Sequence, residues 1–266
     1  MRLEACVDAA EALGYLGHAG QEMSLDLAWR FDCAVELAQA CVPQGTARTF
    51  PVEAFERDAE GVPCAVRLAG TSLVLPGYDI ARHLSGAREA VLMAVTLGLA
   101  SEQALRREQA LSPTDGLLFD ACASSLVESA ANELSRITAQ RARGRGLSMG
   151  ARFSPGYGDL PLDVQRAFLD ALDAARTLGV SVTPGNLLVP SKSITAVAGL
   201  FAEDSEGSKG VNAVLAEAVH DGDRANVAEG AEDADAVPAP PKRTCAACHL
   251  AATCILHAQG RTCYGR

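Results

Sequence analysis

Arg152, Gly156, Tyr157 and Gly158 fall close together in RFSPGYGDLPLDVQ, residues 152–165, just before a stretch that reads as a helix. Arginine and tyrosine are large and directional; glycine has no side chain. That mixture suits a loop whose backbone lies against a ligand while Arg152 and Tyr157 grip it. Glu128 stands alone in the small and apolar run ACASSLVESAANEL. A carboxylate there needs a partner or a ligand; the plain alternative is a half-exposed side chain paired with Arg136 or another base. A third group lies near the C-terminus. Cys245, Cys248, Cys254 and Cys263 put four thiols within 19 residues, with His249 and His257 among them. Thiolates at this density suit tetrahedral zinc or an iron–sulfur cluster, although the spacing is that of neither a standard zinc finger nor a standard ferredoxin. The alternative is a tail of reduced thiols.

Helices and short strands must position these groups. EACVDAAEALGYLG and SLDLAWRFDCAVELAQAC read as two helices, the second capped by Ser24. ARTFPVEAF, VPCAVRLAG and TSLVLPG read as antiparallel strands, DIARHLSGA as a short helix and EAVLMAVTLG as a buried strand. SEQALRREQAL is a helix, and the segment from Ser112 to Arg143 a longer one carrying Glu128. GLSMGARFSP is a strand leading into the Arg152 loop, and LPLDVQRAFLDALDAARTLG an amphipathic helix ending on Gly179. VSVTPGNLLVPSKSITAVAGLF gives two or three strands with turns at Pro184-Gly185 and Pro190. Strands and helices are mixed without a βαβ repeat, so the expected class is α+β: a mostly antiparallel sheet with packed helices.

Beyond Phe201 the pattern ends. The expected organisation is one domain over residues 1–201, an acidic low-complexity linker over 202–243 and a Cys-rich tail over 244–266. The net charge of −10 is concentrated: residues 202–236 hold ten acids against two bases. No basic stripe offers itself to phosphates, which argues against nucleic acid. The chain has no uncharged apolar run of about 18 residues and no basic leader before an apolar stretch, so no membrane span is expected and a cytoplasmic location is. There the nine cysteines are expected to be reduced or metal-bound, with Cys6, Cys33, Cys41, Cys64 and Cys122 in the core. His83 reads as a helix-end residue, and GHAG lacks the lysine and the following helix of a phosphate loop.

Arg152-Phe-Ser-Pro-Gly156-Tyr157 resembles the S-adenosylmethionine (SAM)-binding signature of the cobalamin-dependent methionine synthase activation domain, an arginine, three residues and Gly-Tyr. LVESAANEL is similar to the family's helix with a SAM-contacting glutamate, which falls on Glu128. TPGNLLVPSKSIT resembles its Thr and Pro-x-x-Ser segment, on Thr183, Pro190 and Ser193. LGYLGHAGQ, TSLVLPGYDIARHL and MAVTLGL resemble stand-alone bacterial relatives, so the likeness spans about residues 10–200.

The resemblance implies SAM bound by Glu128, Arg152, Ser154, Pro155, Gly156 and Tyr157. Lys192 and Ser193 would line the site or touch a corrinoid partner; as turn residues they would otherwise be solvated. It implies reactivation of a corrinoid methyltransferase, methionine synthase above all, by reductive methylation of cob(II)alamin. No Asp-x-His-x-x-Gly cobalamin signature occurs here, so the cobalamin would come on a separate partner and the electron from a further donor. Two other readings stand beside it: an adapter that docks a corrinoid protein without methyl transfer, and a redox protein working through zinc or an Fe-S cluster on the tail.

Overall fold

The structure is a computed structural model, and it describes residues 1–202. Two helices come first, α1 (Ala9–Tyr15) and α2 (Leu25–Gln39). They are followed by strands β1 (Gln44–Arg57), β2 (Pro63–Leu68) and β3 (Val74–Pro76), helix α3 (Tyr78–His83) and strand β4 (Glu89–Thr96). Helices α4 (Gly98–Leu111) and α5 (Pro113–Arg143) precede strand β5 (Leu147–Met149). A 3₁₀ turn (Leu162–Val164), α6 (Gln165–Leu172) and α7 (Ala174–Leu178) then lead to β6 (Ser181–Val182), β7 (Leu188–Val189) and β8 (Ser193–Ala202).

Six strands form an antiparallel sheet in the order β3-β2-β1-β4-β8-β5, and β6 and β7 form a separate hairpin. The expected α+β class is what the chain forms. β4 and β8 are interior strands covered on both faces, which is why residues 90–95 of β4, AVLMAV, are continuously apolar instead of alternating. Val91, Met93 and Val95 of β4, with Ala196, Ala198 and Leu200 of β8, pack with α1, α2, α4 and α5. Ala90, Leu92 and Ala94 point the other way, with Val197, toward α3 and α6.

α5 is the long element of the first layer. Ser112 caps it by accepting from the Asp115 N–H at 3.3 Å, and Pro113 fills its first position, where a missing N–H costs nothing.

Three expectations need correction. α1 begins at Ala9, not Glu4, because Asp8 caps it; Leu3 instead donates its N–H to the Pro43 carbonyl beside β1. The amphipathic stretch 160–179 is broken into three pieces. Asp173 takes a left-handed conformation (φ 53°) that separates α6 from α7, one that aspartate tolerates better than most residues. Of the five cysteines expected in the core, Cys41 and Cys122 are buried, Cys64 is partly so, and Cys6 and Cys33 are exposed.

Among the described residues no helix is long and apolar enough to cross a membrane. The acidic segment after Ala202 and the Cys245, Cys248, Cys254 and Cys263 cluster lie outside the described residues.

Candidate functional site

Arg152 is aimed by strand geometry. After β5 ends, the chain continues along β8: the Gly150 N–H donates to the Gly199 carbonyl at 2.8 Å, and Phe153 and Val197 exchange two hydrogen bonds of 2.8 Å. Successive residues in such a segment point to opposite faces. Phe153 therefore packs into the α3/α6 side, its ring 5.2 Å from that of His83. Arg152 points to the α5 side, beside Met93, Ala131, Ile194 and Ala196.

On α5, Arg152 meets a face of polar residues spaced four apart: Asp120, Ser124, Glu128 and Asn132. One guanidinium nitrogen, Nη2, donates to Asn132 Oδ1 at 2.9 Å and to Glu128 Oε2 at 3.3 Å. The other, Nη1, is buried and has no hydrogen-bond partner among the described residues. Glu128 thus pairs with Arg152, while Arg136 pairs with Glu133.

Burial disfavours both charges of the pair. It pushes the Glu128 carboxyl up from its ordinary range; the Arg152 charge opposes this and the Glu11 charge adds to it. Burial also lowers Arg152, against the pull of Glu128 and Tyr157. A partly exposed guanidinium beside a half-exposed carboxylate offers complementary charges to a zwitterionic ligand.

The loop after Arg152 is a tight double turn. Tyr157 N–H donates to the Ser154 carbonyl at 3.0 Å, Gly156 N–H to the Leu160 carbonyl at 2.8 Å, and Leu160 N–H to the Tyr157 carbonyl at 3.1 Å. Pro155 is buried beneath it, Ser154 is half-buried, and Tyr157 is 66% exposed. Gly156 and Gly158 have φ of 94° and 53°, values that favour glycine. The space a Cβ would need at Gly158 is taken by Asp79 Oδ2 at 2.6 Å, and at Gly156 by Leu162 at 3.1 Å. Both glycines thus let the loop pack against its own chain.

Asp159 fastens that loop to α3. Its carboxylate accepts from the N–H groups of Tyr78 at 2.6 Å and Asp79 at 3.1 Å, capping a helix whose N-cap residue, Gly77, has no side chain to do so. At the other end of α3, His83 sits in the last turn as expected, its Nε2 2.9 Å from the Ala151 carbonyl oxygen. Burial lowers the pKa of this imidazole.

Lys192 lies on the same α5 face, with Nζ 2.9 Å from Asp120 Oδ1 and 2.8 Å from Ser124 Oγ. The two cations therefore stand on neighbouring turns, Lys192 over 120/124 and Arg152 over 128/132, and residues 120 and 128 are about 12 Å apart along the helix. Ser193 turns away and donates to Thr96 Oγ1 at 2.8 Å across the β4–β8 pair. Thr183 organises the β6–β7 turn, its hydroxyl accepting from the Leu187 N–H at 3.1 Å. Asn132, Asp120, Ser124 and Asp159 were not singled out in the sequence. The spacing 120, 124, 128, 132 was a readable signal for three of them; Asp159 left none, since its partners are about 80 residues away.

Among the described residues no group of three or more His, Cys, Asp or Glu is arranged to hold a metal ion. No protein-family model matches the chain, and no curated protein matches it. Among solved structures, the MetH reactivation domain bound to AdoHcy is similar, with a TM-score of 0.53 and 17% identity over 77% of this chain and 79% of that one. At that identity the likeness is one of fold, and at the level of fold it bears out the resemblance carried by Arg152, Gly156 and Tyr157.

Proposed function

We propose that this protein binds SAM and supports, in trans, reductive methylation of cob(II)alamin on a separate corrinoid methyltransferase of the methionine synthase kind. The observation that carries the reading is the Arg152–Glu128 pair, a cation and a carboxylate together beside an exposed tyrosine loop. A fold shared with a domain bound to AdoHcy supports it.

The side chains fit the ligand group by group. The partly exposed Arg152 guanidinium receives the amino-acid carboxylate in a charge-assisted hydrogen bond, and Glu128 answers the ammonium. Tyr157 offers a flat face, worth on the order of 1 kcal/mol against a sulfonium. Ser154, Pro155 and Gly156 supply the backbone against which the nucleoside rests, and Lys192 bounds the far end of the α5 face.

The partner's reduced cobalt centre is a strong nucleophile and supplies the chemistry. In the transfer the S–CH3 bond breaks with its electron pair retained by sulfur, and the methyl takes its bonding pair from the nucleophile. This chain then contributes binding and orientation, with no residue acting as acid or base.

The domain division belongs to the same proposal: residues 1–201 act on SAM, 202–243 form a linker, and 244–266 hold zinc or an iron–sulfur cluster through Cys245, Cys248, Cys254 and Cys263. Elemental analysis after anaerobic purification should find metal, and it should be lost with Cys245→Ser and Cys248→Ser together.

The deciding experiment mixes a methionine synthase lacking its own activation domain, in the cob(II)alamin state, with a reductant, SAM and this protein. The spectrum of the methylated cofactor should appear in step with S-adenosylhomocysteine. SAM binding without methylation, across the genome's own corrinoid proteins, would leave a docking adapter.

A further inference from the structure

Between β5 and the Arg152 loop the chain gains a residue on β8. Along β5, Leu147 faces Ala202, Ser148 faces Phe201 and Met149 faces Leu200. A regular ladder would carry on with Gly150 against Gly199, Ala151 against Ala198 and Arg152 against Val197. The first of these holds, through the bond from the Gly150 N–H to the Gly199 carbonyl. The residue that meets Val197, however, is Phe153. Three steps from Gly150 to Phe153 thus oppose two from Gly199 to Val197, so Ala151 and Arg152 share the place opposite Ala198. This is a one-residue β-bulge.

The bulge decides where Arg152 points. Residues that face each other across two strands lie on the same side of the sheet. Met149, Ala198 and Leu200 are on the α5 side, and Val197 is on the α3/α6 side. In the regular register Arg152 would stand beside Val197 in that second apolar cluster, and Phe153 would move to the α5 side. The extra residue reverses both: Arg152 reaches Glu128 and Asn132, and Phe153 joins Val197. A slip of one residue exchanges the faces, so the segment needs a contact that selects the bulged register.

Helix α3 supplies it. Ile80, Ala81 and Leu84 are buried in the second cluster, which makes the end of this helix a fixed support. The Ala151 carbonyl, on the bulge, lies 2.9 Å from His83 Nε2. A carbonyl only accepts, so Nε2 carries the proton and donates it. The same imidazole lies 5.2 Å from the Phe153 ring. His83 therefore holds the residues on either side of Arg152, and the regular register would withdraw Phe153 from it.

We infer that His83 is a positioning residue: by donating to the Ala151 carbonyl it holds the bulge at Ala151–Arg152 and so turns the Arg152 guanidinium toward Glu128, where SAM is bound. The part concerning SAM rests on the reading proposed above; the part concerning the bulge stands on the hydrogen bonds.

Two measurements on the full chain test this in the wild type, His83→Phe and His83→Gln. Phe keeps a ring against Phe153 and removes the donor; Gln restores an N–H at similar reach. Amide hydrogen exchange without ligand reads the bulge. In His83→Phe the Phe153 and Val197 amides should exchange about 3- to 10-fold faster, central β4 amides should keep their rates, and His83→Gln should restore most of the protection. Calorimetry with SAM reads the site. His83→Phe should bind about 3- to 10-fold more weakly, His83→Gln nearly as well as the wild type, and the loss should vanish when Arg152→Ala is already present. Unchanged exchange at Phe153 and Val197 overturns the inference, and so does a SAM loss that persists in full beside Arg152→Ala. If His83→Phe does not fold, His83→Asn, whose shorter amide does not reach Ala151, takes its place. A wild type that binds no SAM removes the SAM reading, while the exchange rates still decide whether His83 holds the bulge.

Discussion

Arg152 meets Glu128 through a single nitrogen, Nη2 at 3.3 Å from Oε2, while Nη1 of the same guanidinium is buried without a hydrogen-bond partner among the described residues. The pair is monodentate, without the two parallel bonds that make an arginine–carboxylate contact strong, so a ligand carboxylate can compete for the guanidinium. Asn132, 2.9 Å from Nη2, holds the plane of the group.

Arg152→Ala should therefore weaken SAM binding by roughly 2–3 kcal/mol, or about 30- to 150-fold. Arg152→Lys should recover little, because an ammonium on a flexible stem does not reproduce the planar fork. Calorimetry on the three proteins checks this. A wild type without heat at millimolar SAM removes the ligand assignment.

Glu128 gives the site a pH dependence whose sign follows from its surroundings. Burial and the Glu11 charge raise its folded-state pKa above the ordinary value of about 4.3, against the opposing pull of Arg152. Between the unfolded and folded values the native state binds the extra proton, so this group favours folding at low pH, and that contribution is lost as pH rises through the folded value. Binding runs the other way. An ammonium needs the ionised carboxylate, so SAM affinity should fall as pH drops through a window that opens above the ordinary carboxylate range. Glu128→Gln should bind more weakly at neutral pH and lose that part of the pH dependence. An identical profile in both proteins would assign the proton elsewhere.

How much of this was legible beforehand differs from element to element. Short-range signals were: the Ser24 and Ser112 caps, the turn at Gly179, and the unbroken apolar run of β4 all stand where the sequence puts them. The Arg152 loop could be recognised because its residue types are incompatible with a helix or strand interior. What was not legible depends on partners distant in sequence or on local competition. Asp159 caps a helix 81 residues away. Lys192 reads as a solvated turn residue until α5 brings Asp120 and Ser124 to it. Asp173 breaks a strongly amphipathic pattern by adopting a left-handed conformation that periodicity does not report. Ser193 fits a family pattern, yet in the fold it bonds to Thr96.

Residues 1–202 should fold without the rest of the chain. β8 runs to Ala202 between β4 and β5, and the apolar clusters of the described residues already cover both faces of the sheet. A chain ending after Ala202 should keep the melting temperature of the full protein within a few degrees, by differential scanning calorimetry. A cut at Ile194 removes most of a central strand and should abolish folding. A large loss of stability from the first cut would mean that later residues pack on this domain.

The last expectation concerns the clasp between the Arg152 loop and α3. Asp159 accepts two N–H groups from the first turn of α3, and Gly158 fits only because it has no Cβ to strike Asp79. The loop therefore carries the cap of a helix that would otherwise lack one. Removing the carboxylate in Asp159→Ala should lower stability by about 1 kcal/mol, the usual worth of such a cap. Asp159→Asn keeps an acceptor oxygen and should lose less. If the cap also holds the loop in its binding conformation, the competent fraction drops with it, and SAM affinity should fall by up to about 5-fold. Gly158→Ala forces the same opening from the other side, through a strained φ of 53° and a contact with Asp79. The two variants should thus weaken SAM together with stability while leaving Arg152 and Glu128 in place. Urea unfolding and SAM titration on each would decide the point; stability lost with affinity intact would show that the loop keeps its shape without the clasp.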